Sequence, residues 1–178
     1  MSTSDIKEEA FEALIEKALV GSTIEEREAQ GITKADVDAQ QPTEEQYYWG
    51  VPSDFKYKTG EDWAIDTRRL MSFLHATQQE QLDQYKGRKT VEQAVCERIS
   101  KDIETFGIIQ VLREGINMDN INLRLWYAKP SKSGAQTSWE HYAQNQFSVT
   151  RQQTYSKLTP GDEIDMVLFV NGLPLFTF

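Results

Sequence analysis

The sequence predicts an α/β (α+β) fold in which a central mixed β-sheet is flanked by helices. Two observations carry this prediction. Apolar residues recur at helical spacing in several stretches up to residue 106, and beyond it they alternate with polar residues or form short apolar runs. Helices and a covered sheet pack as layers around one core. We therefore expect one domain over residues 1–178, helical over 1–106 and mainly strand over 107–178.

The first expected helix contains apolar residues at helical spacing from Ala10 to Leu19. Gly21 follows the last of them and is a plausible stop signal. Asp5 and Glu8, three residues apart, have the spacing of a capping box. We therefore expect this helix to begin at Asp5.

Two further helices are expected before the sheet. One lies within residues 61–85, and the other runs from an N-cap at Thr90 to a stop at Gly107. Residues 22–52 contain two prolines and few large apolar side chains. We expect this long connection to be ordered only at its aromatic end, residues 47–49.

The predicted strands share β-rich apolar runs or a period of two. They are residues 108–112, 121–127, 147–155, 164–170 and 173–178, with a short helix over 139–145. The strand over 164–170 is apolar on both faces, which favours a central, covered position. Asn171-Gly172 is a strong turn signal between the last two strands. Because the chain stops at Phe178 inside an apolar strand, we expect the domain to be incomplete at this end.

Asp165 is the only charged residue within the apolar strand 164–170, and Asp162 and Glu163 directly precede that strand. A carboxylate that enters a covered strand costs several kcal/mol unless it is paired or binds a metal. Acids gathered at a strand entrance concentrate negative potential, and Mg²⁺ prefers oxygen ligands. The pattern leaves two interpretations open: Asp165 is a metal ligand, or it is a strand-start acid that reaches solvent or a backbone N–H.

The net charge of −9 opposes a DNA partner at first sight, since phosphates attract Lys and Arg. The charge is uneven, however: residues 1–66 carry 16 acids and 6 bases, and residues 67–178 carry 12 acids and 13 bases. Residues 124–157 contain only one acid, Glu140. Their five bases are Arg124, Lys129, Lys132, Arg151 and Lys157. This segment is either a DNA-facing surface or a solvated loop face.

Composition disfavours membrane and secreted proteins. No run of about 18 apolar residues exists, and the N-terminus lacks the basic start and apolar core of a signal peptide. The single cysteine, Cys96, allows no internal disulfide and suits a reducing compartment, and its helical surroundings favour a small buried side chain. We expect a cytoplasmic protein without a membrane partner.

Other chemistries also lack support. His75 has no His, Cys or Asp four residues on, so a packing or surface role is favoured over metal binding. No Walker loop is present, and no Ser or Cys stands in a nucleophile elbow. ATP binding and covalent hydrolysis by this chain are therefore not expected.

Residues 162–175 have the sequence Asp-Glu-Ile-Asp-Met-Val-Leu-Phe-Val-Asn-Gly-Leu-Pro-Leu. They closely resemble the nuclease core of the R subunits of type I restriction enzymes, where an aspartate opens a strand and Asn-Gly-Leu-Pro forms the turn. Further blocks look similar: residues 11–15, 73–78, 111–115, 126–127 and 147–152. The resemblance covers most of the chain.

The resemblance implies a restriction-endonuclease-like core that cuts double-stranded DNA with Mg²⁺. Asp165 would be the catalytic and metal-binding aspartate. The family's Glu-x-Lys would follow Phe178 and is not in this sequence. We therefore expect the chain to be inactive alone. The motor domains that couple cleavage to ATP-driven translocation would lie in another part of the polypeptide, and modification and specificity subunits would be partners.

Three further residues are candidates for supporting roles. Arg151 and Gln152 lie on the neighbouring predicted strand and could contact a phosphate or a metal-bound water, or be ordinary strand-surface residues. Glu12 could approach the site from the first helix, or be an exposed helix charge. Two other functions stay open: a non-catalytic module for DNA docking or subunit interaction, and a stand-alone repair nuclease.

The hairpin register offers a structural test. A strict two-residue loop at Asn171-Gly172 pairs Asp165 with Phe178, so that a glutamate after Phe178 would face away from Asp165. A shared metal site requires one extra residue in the hairpin. Pro174 cannot donate to the ladder, so we predict a bulged or longer turn over 171–174.

Overall fold

The computed structural model of the chain describes residues 3–33, 35–36, 39, 47–50, 64–154 and 163–178, and for 3–8 and 152–154 it describes the backbone only. The helices are α1 (Thr3–Val20), α2 (Ile24–Ala29), α3 (Thr67–Asp83), α4 (Val91–Phe106), α5 (Ile108–Glu114) and α6 (Gln136–Ala143). The strands are β1 (Tyr48–Trp49), β2 (Ile116–Met118), β3 (Ile121–Leu123), β4 (Phe147–Thr154), β5 (Glu163–Val170) and β6 (Leu173–Thr177).

Four of these strands form one sheet in the order β1-β4-β5-β6. The strand β1 runs parallel to β4, with Trp49 opposite Val149. Because only two residues join β5 to β6, those neighbours run antiparallel. The sheet is therefore mixed and has helices around it, as the sequence predicts, and β5 holds the expected inner position.

The described residues fall into two compact units. The first consists of residues from 1–52, 147–168 and 176–178. Its core contains Val20, Val149 and Met166, with residues of α1, β1 and β5 packed around them. The apolar side chains of α1 that join this core, Ile15 and Leu19, lie one helical turn apart, which is the spacing that the sequence shows.

The second unit consists of residues from 53–146 and 169–175. Its core brings together α3, α4 and the separate hairpin β2-β3. The largest of its fully buried side chains are Leu70, Phe73, Leu74, Ile99, Ile116, Ile121, Leu123 and Leu125. Thr90 caps α4, with its hydroxyl accepting from the amide of Gln93, and Gly107 ends that helix at φ 81°. Both ends of α4 are confirmed, as is the buried position of Cys96.

Helix boundaries depart from prediction near the N-terminus. The helix α1 already includes Thr3, so Asp5 lies inside it and the predicted capping box is wrong. A capping box does occur at Thr23, where the hydroxyl accepts from the amide of Glu26 and the Glu26 carboxylate accepts from the amide of Thr23. It starts α2, within a connection predicted to lack order. At α3 the cap is Asp66, while residues 61–63 of the predicted helix lie outside the described residues.

The predicted strand over 108–112 is wrong, because these residues begin the helix α5. Gly107, at a φ that other residues rarely adopt, separates this helix from α4 and redirects the chain. The buried side chains of α5 are Val111 and Leu112, whereas Ile109 is 49% exposed. Adjacent buried residues fit a helix face, not the alternation of a half-buried strand.

The predicted strand over 121–127 ends at Leu123, because side-chain amides replace a neighbouring strand beyond that point. The Gln78 amide bonds both backbone groups of Arg124, accepting from its N–H at 2.7 Å and donating to its carbonyl at 2.8 Å. The Asn145 amide bonds Tyr127 in the same two-sided way, at 3.1 and 2.7 Å. These bonds satisfy the backbone groups of Arg124 and Tyr127 without a neighbouring strand.

The tip of the β5–β6 hairpin is a turn that only certain residues permit. Asn171 and Gly172 have φ values of 49° and 78°, the left-handed region that two-residue hairpin turns require. A side chain at Gly172 would place its Cβ 2.2 Å from the Asp66 carbonyl oxygen. This position therefore requires glycine for two reasons: the backbone has a positive φ, and the start of α3 lies too close to leave room for a side chain.

Asn171 is fully buried and ties two segments of the second unit, residue 125 and residues 145–146, to this turn. Its Oδ1 accepts from the Gln146 amide at 2.7 Å, and its Nδ2 donates to the Leu125 carbonyl at 2.8 Å and to Asn145 Oδ1 at 3.0 Å.

We predict that Asn171→Ala lowers the free energy of unfolding by about 3 kcal/mol, because buried partners lose their bonds and alanine tolerates positive φ poorly. Urea denaturation measures the change. The matched control is Asn122→Ala on the exposed face of β3, which should stay within about 0.5 kcal/mol of wild type. Equal losses in the two variants would contradict this role of Asn171.

Candidate functional site

Asp165 is an exposed carboxylate near the entrance of an inner strand whose later residues are mostly buried. The next two residues along β5, Met166 and Val167, are 0% and 2% exposed, whereas Asp165 is open to solvent. Among the residues that the structure describes, none forms an ion pair or hydrogen bond with its side chain. Burial of the strand and exposure of this carboxylate are thus compatible, because the residue lies near the strand's entrance.

The hairpin carries the extra residue that the sequence analysis predicts. The amide of Phe178 donates to the Met166 carbonyl at 2.9 Å. In an antiparallel pair of strands, the residue numbers of every opposed pair add up to the same total. A regular two-residue turn at Asn171-Gly172 pairs Val170 with Leu173 and would therefore place Thr177 opposite Met166. The observed bond is shifted by one residue, so β6 accommodates a bulge after the turn. Its location at Pro174 stays a prediction.

This shift changes which position faces Asp165. With Phe178 opposite Met166, continuation of this register would pair Asp165 with the residue that follows Phe178. Paired residues of neighbouring strands project on the same face, with Cβ atoms about 5 Å apart. This is the register required for a metal ion that is held jointly by Asp165 and by a carboxylate on the neighbouring strand.

Arg151 lies elsewhere, in a buried ion-pair network of the first unit. It is 7% exposed, and its guanidinium contacts Glu12 at 3.3 Å, Glu16 at 3.2 Å and Glu25 at 3.0 Å. Glu12 and Glu16 come from α1 and Glu25 from α2. The structure therefore brings together Arg151 and Glu12, two of the residues singled out from the sequence.

Glu16 is shared between two arginines. Its other carboxylate oxygen pairs with Arg27, and both side chains are almost fully buried. Arg27 also donates to the Ser22 carbonyl at 2.7 Å, and its Cζ lies 3.6 Å from the ring centroid of Trp49. Glu16, Glu25 and Arg27 were not predicted as members of a cluster. The available signals were the Thr23–Glu26 capping pattern and the placement of Glu16 beside the apolar Ile15 and Leu19.

The pKa values in this network follow from the balance of burial and pairing. For Arg151 burial opposes the charge, but the hydrogen bonds to Glu16 and Glu25 outweigh it and raise the pKa. For Arg27 burial is the larger effect and lowers the pKa, despite the attraction of Glu16. For Glu25 burial again opposes ionisation, but its backbone hydrogen bond, Thr23 and Arg151 together lower the pKa.

Asp165 and Arg151 lie on opposite faces of the sheet. Val149 and Arg151 are two residues apart on β4 and share the face that packs against α1. Met166 joins the same core, so its neighbour Asp165 belongs to the other face. The structure thus does not bring Glu12 or Arg151 to Asp165. The fourth predicted site residue, Gln152, lies in β4, and its side chain is outside the described residues.

Burial of Arg151 also removes it from the basic surface considered above. Arg124, Lys129 and Lys132 are exposed, while Lys157 lies outside the described residues. His75 is exposed as well, and its Nδ1 lies 2.7 Å from Gln79 Oε1, which fits the predicted surface role.

Two searches of the described residues gave negative results. No group of three or more His, Cys, Asp or Glu side chains there could hold a metal ion. None of the helices in the described ranges has both the length and the apolar character needed to cross a membrane.

Comparison with known proteins gives one family. The family model described as type I restriction enzyme R protein N terminus matches residues 53–178. This range includes Arg151, Gln152 and Asp165, but not the helix α1 with Glu12. Neither the curated proteins nor the solved structures gave a match.

We predict that Arg151→Gln lowers the free energy of unfolding by about 3 kcal/mol, because it leaves carboxylates of α1 in a buried site with one arginine fewer. Urea denaturation followed by circular dichroism tests this. Arg88→Gln, at an exposed arginine outside the network, is the matched control and should change the value by less than about 0.5 kcal/mol. A cost for Arg151→Gln below about 1 kcal/mol would show that the network is dispensable.

A second prediction concerns acid stability. The pKa of Glu25 in the folded protein lies below its ordinary value of 4.5, so its ionisation stabilises the fold above that pH. The contribution is lost as the pH falls through the folded-state pKa. Glu25→Gln should therefore reduce the drop in melting temperature on acidification.

The measurement is thermal unfolding from neutral pH down to about pH 3 for wild type, Glu25→Gln and Glu28→Gln. Glu28 is an exposed acid on the same helix and serves as the control. If Glu28→Gln reduced the drop in melting temperature on acidification as much as Glu25→Gln does, the contact of Glu25 with Arg151 would not be the cause of the effect.

Proposed function

Because the chain belongs to the family of the type I restriction enzyme R protein N terminus, we propose that it provides the DNA-cutting part of such an R subunit. The proposed reaction is Mg²⁺-dependent hydrolysis of phosphodiester bonds in double-stranded DNA, carried out in the cytoplasm. In the full R subunit this cleavage is coupled to ATP-driven translocation, and the modification and specificity subunits are its partners.

The observation that carries the proposal is the state of Asp165. It is the sole charged side chain in an apolar inner strand after the strand's first residue, it is exposed, and no described residue pairs with it. An exposed carboxylate that no described residue engages is open to a cation. The one-residue shift of the hairpin would bring the residue that follows Phe178 opposite Asp165, where a second ligand could share that cation.

The described residues supply only part of a magnesium site. Asp165 fits one oxygen ligand, but the described chain has no cluster of three potential ligands. When bound, Mg²⁺ polarises the scissile phosphate and activates a water molecule. The role assigned to Asp165 is to anchor the ion, and the remaining ligands come from water and from groups outside the described residues. A chain of these 178 residues is accordingly proposed to be inactive alone.

Gln152 gains support as a neighbour of Asp165. The amide of Asn171 donates to the Gln146 carbonyl at 2.7 Å, which joins the start of β4 to the end of β5. An uninterrupted antiparallel register continued from this bond would place the backbone of Gln152 opposite that of Asp165. Gln152 is therefore proposed to position a metal-bound water or a phosphate, whereas Arg151 and Glu12 hold α1 against β4 on the other face.

A non-catalytic docking module is the second candidate. The observation that favours it is the lack of a three-ligand cluster among the described residues. In that case Asp165 would be an ordinary surface acid, and its replacement would not affect cleavage. A stand-alone repair nuclease has no comparable support, since the family match is to a subunit of a larger enzyme.

We predict that Asp165→Asn in the R subunit containing this chain lowers DNA cleavage by roughly 100-fold or more, because loss of the anchored ion removes several kcal/mol of transition-state stabilisation. Plasmid cleavage by the assembled enzyme with Mg²⁺ and ATP is the assay. ATP hydrolysis should be unchanged, since the motor is intact.

Glu163→Gln is the matched control, because Glu163 is an exposed acid two residues away on the same strand face. It should retain most of the cleavage activity. Normal cleavage by Asp165→Asn would reject the nuclease assignment of this residue and favour the docking module.

A further inference from the structure

A groove of about 940 Å³ opens in the second unit, and all of its lining residues belong to that unit. Its walls are the second half of α3 (residues 75–81), the segment 112–117, and residues 122–124 with 126–128. We call it the α3 groove. Its volume is at the upper end of the roughly 300–1,000 Å³ typical of ligand sites.

The helix α3 is interrupted at Gln78, one of the residues that line the α3 groove. Gln78 has non-helical backbone angles (φ −145°, ψ 33°) in the middle of α3. Its side chain bonds the N–H and the carbonyl of Arg124, while the Thr77 hydroxyl donates to the Phe73 carbonyl at 2.8 Å. The backbone of Arg124 is thereby fixed to the helix, and its side chain is left available at the groove.

Two arginines in the lining are free to bind an anion. Arg113 and Arg124 are exposed, and no described residue pairs with either guanidinium. Two acids, Glu80 and Glu114, also line the groove, and Glu114 accepts a hydrogen bond from Gln110 at 3.1 Å. With His75 neutral the lining has no net charge, which disfavours a ligand that presents two rows of phosphates.

The rest of the lining suits nucleobases. Trp126 is half-buried in the groove wall, with an aromatic face that any base can stack on. Asn117 and Asn122 are exposed amides that can both donate and accept hydrogen bonds. Exposed Lys129 and Lys132 follow the groove segment along the chain, and no described residue pairs with them.

We propose that the α3 groove binds single-stranded DNA. One row of phosphates contacts Arg113 and Arg124, and the bases stack on Trp126 and bond to the amides. A duplex keeps its base faces stacked, so they are not available to Trp126, and it presents two rows of phosphates to a surface without net charge. The site uses none of the residues around Asp165, so it does not depend on the proposed nuclease function.

The test is fluorescence anisotropy of a labelled oligothymidylate of about 20 nucleotides, titrated with the 178-residue chain over a range of salt concentrations. The double variant Arg113→Gln/Arg124→Gln should bind more weakly. The slope of log K against log salt should fall by about 1.4, that is, about 0.7 for each lost phosphate contact on a single strand. Trp126→Ala should weaken binding by about tenfold without changing the slope, and Trp126→Phe should recover most of the loss.

Arg88→Gln is the matched control, because it removes an exposed arginine outside the groove. It should leave both affinity and slope unchanged, and circular dichroism should show every variant folded. The proposal is overturned if the wild-type chain does not bind the oligonucleotide at about 50 mM salt, or binds a duplex of the same length more tightly. It is equally overturned if the double variant has the same slope as Arg88→Gln.

Discussion

The first unit depends on one buried carboxylate, that of Glu16, which is shared by two buried arginines. Arg27 comes from α2 and Arg151 from β4, so a single acid of α1 connects three elements. Buried charges are tolerated only when they are paired and hydrogen-bonded, and here each group has several partners. The amide of Ile24 also donates to Glu16, at 3.1 Å, which ties the start of α2 to the same carboxylate. The packing of α1 beside the sheet follows from this cluster and from the apolar contacts of Ile15, Leu19 and Val20.

The same arrangement separates two kinds of charge on the sheet. On the face toward α1, Arg151 is buried, and its two terminal nitrogens pair with carboxylates of Glu12, Glu16 and Glu25. On the other face Asp165 is exposed and has no described partner. Of the five bases counted in residues 124–157, Arg151 therefore has a structural role, whereas the residue proposed for the chemistry is the acid Asp165. In the second unit the situation differs, because Arg113 and Arg124 stay exposed at a groove formed by an interrupted helix.

In the second unit, side-chain amides hydrogen-bond to backbone groups in place of a neighbouring strand. Gln78, Asn145 and Asn171 bond backbone groups of residues 124, 125 and 127, where the sequence pattern predicted a strand. An alternating apolar pattern indicates which side chains are buried. It does not indicate whether the backbone N–H and C=O groups bond to a neighbouring strand or to side-chain amides. The helix α5 was missed for a related reason. Its apolar run is too short to distinguish a helix from a strand by periodicity, and Gly107 decides the direction of the chain.

The sequence by itself determined the mixed α/β class, the ends of α4, the turn at Asn171-Gly172 and the exceptional position of Asp165 in an apolar strand. It also indicated the family, which the match over residues 53–178 confirms. These features are local: caps, turns and alternation depend on residues a few positions apart. Only the tertiary structure decided that Arg151 joins Glu12 and Glu16 and that Asp165 lies on the opposite face. The ion pairs of Arg151 join residues more than 100 positions apart, which no local pattern predicts.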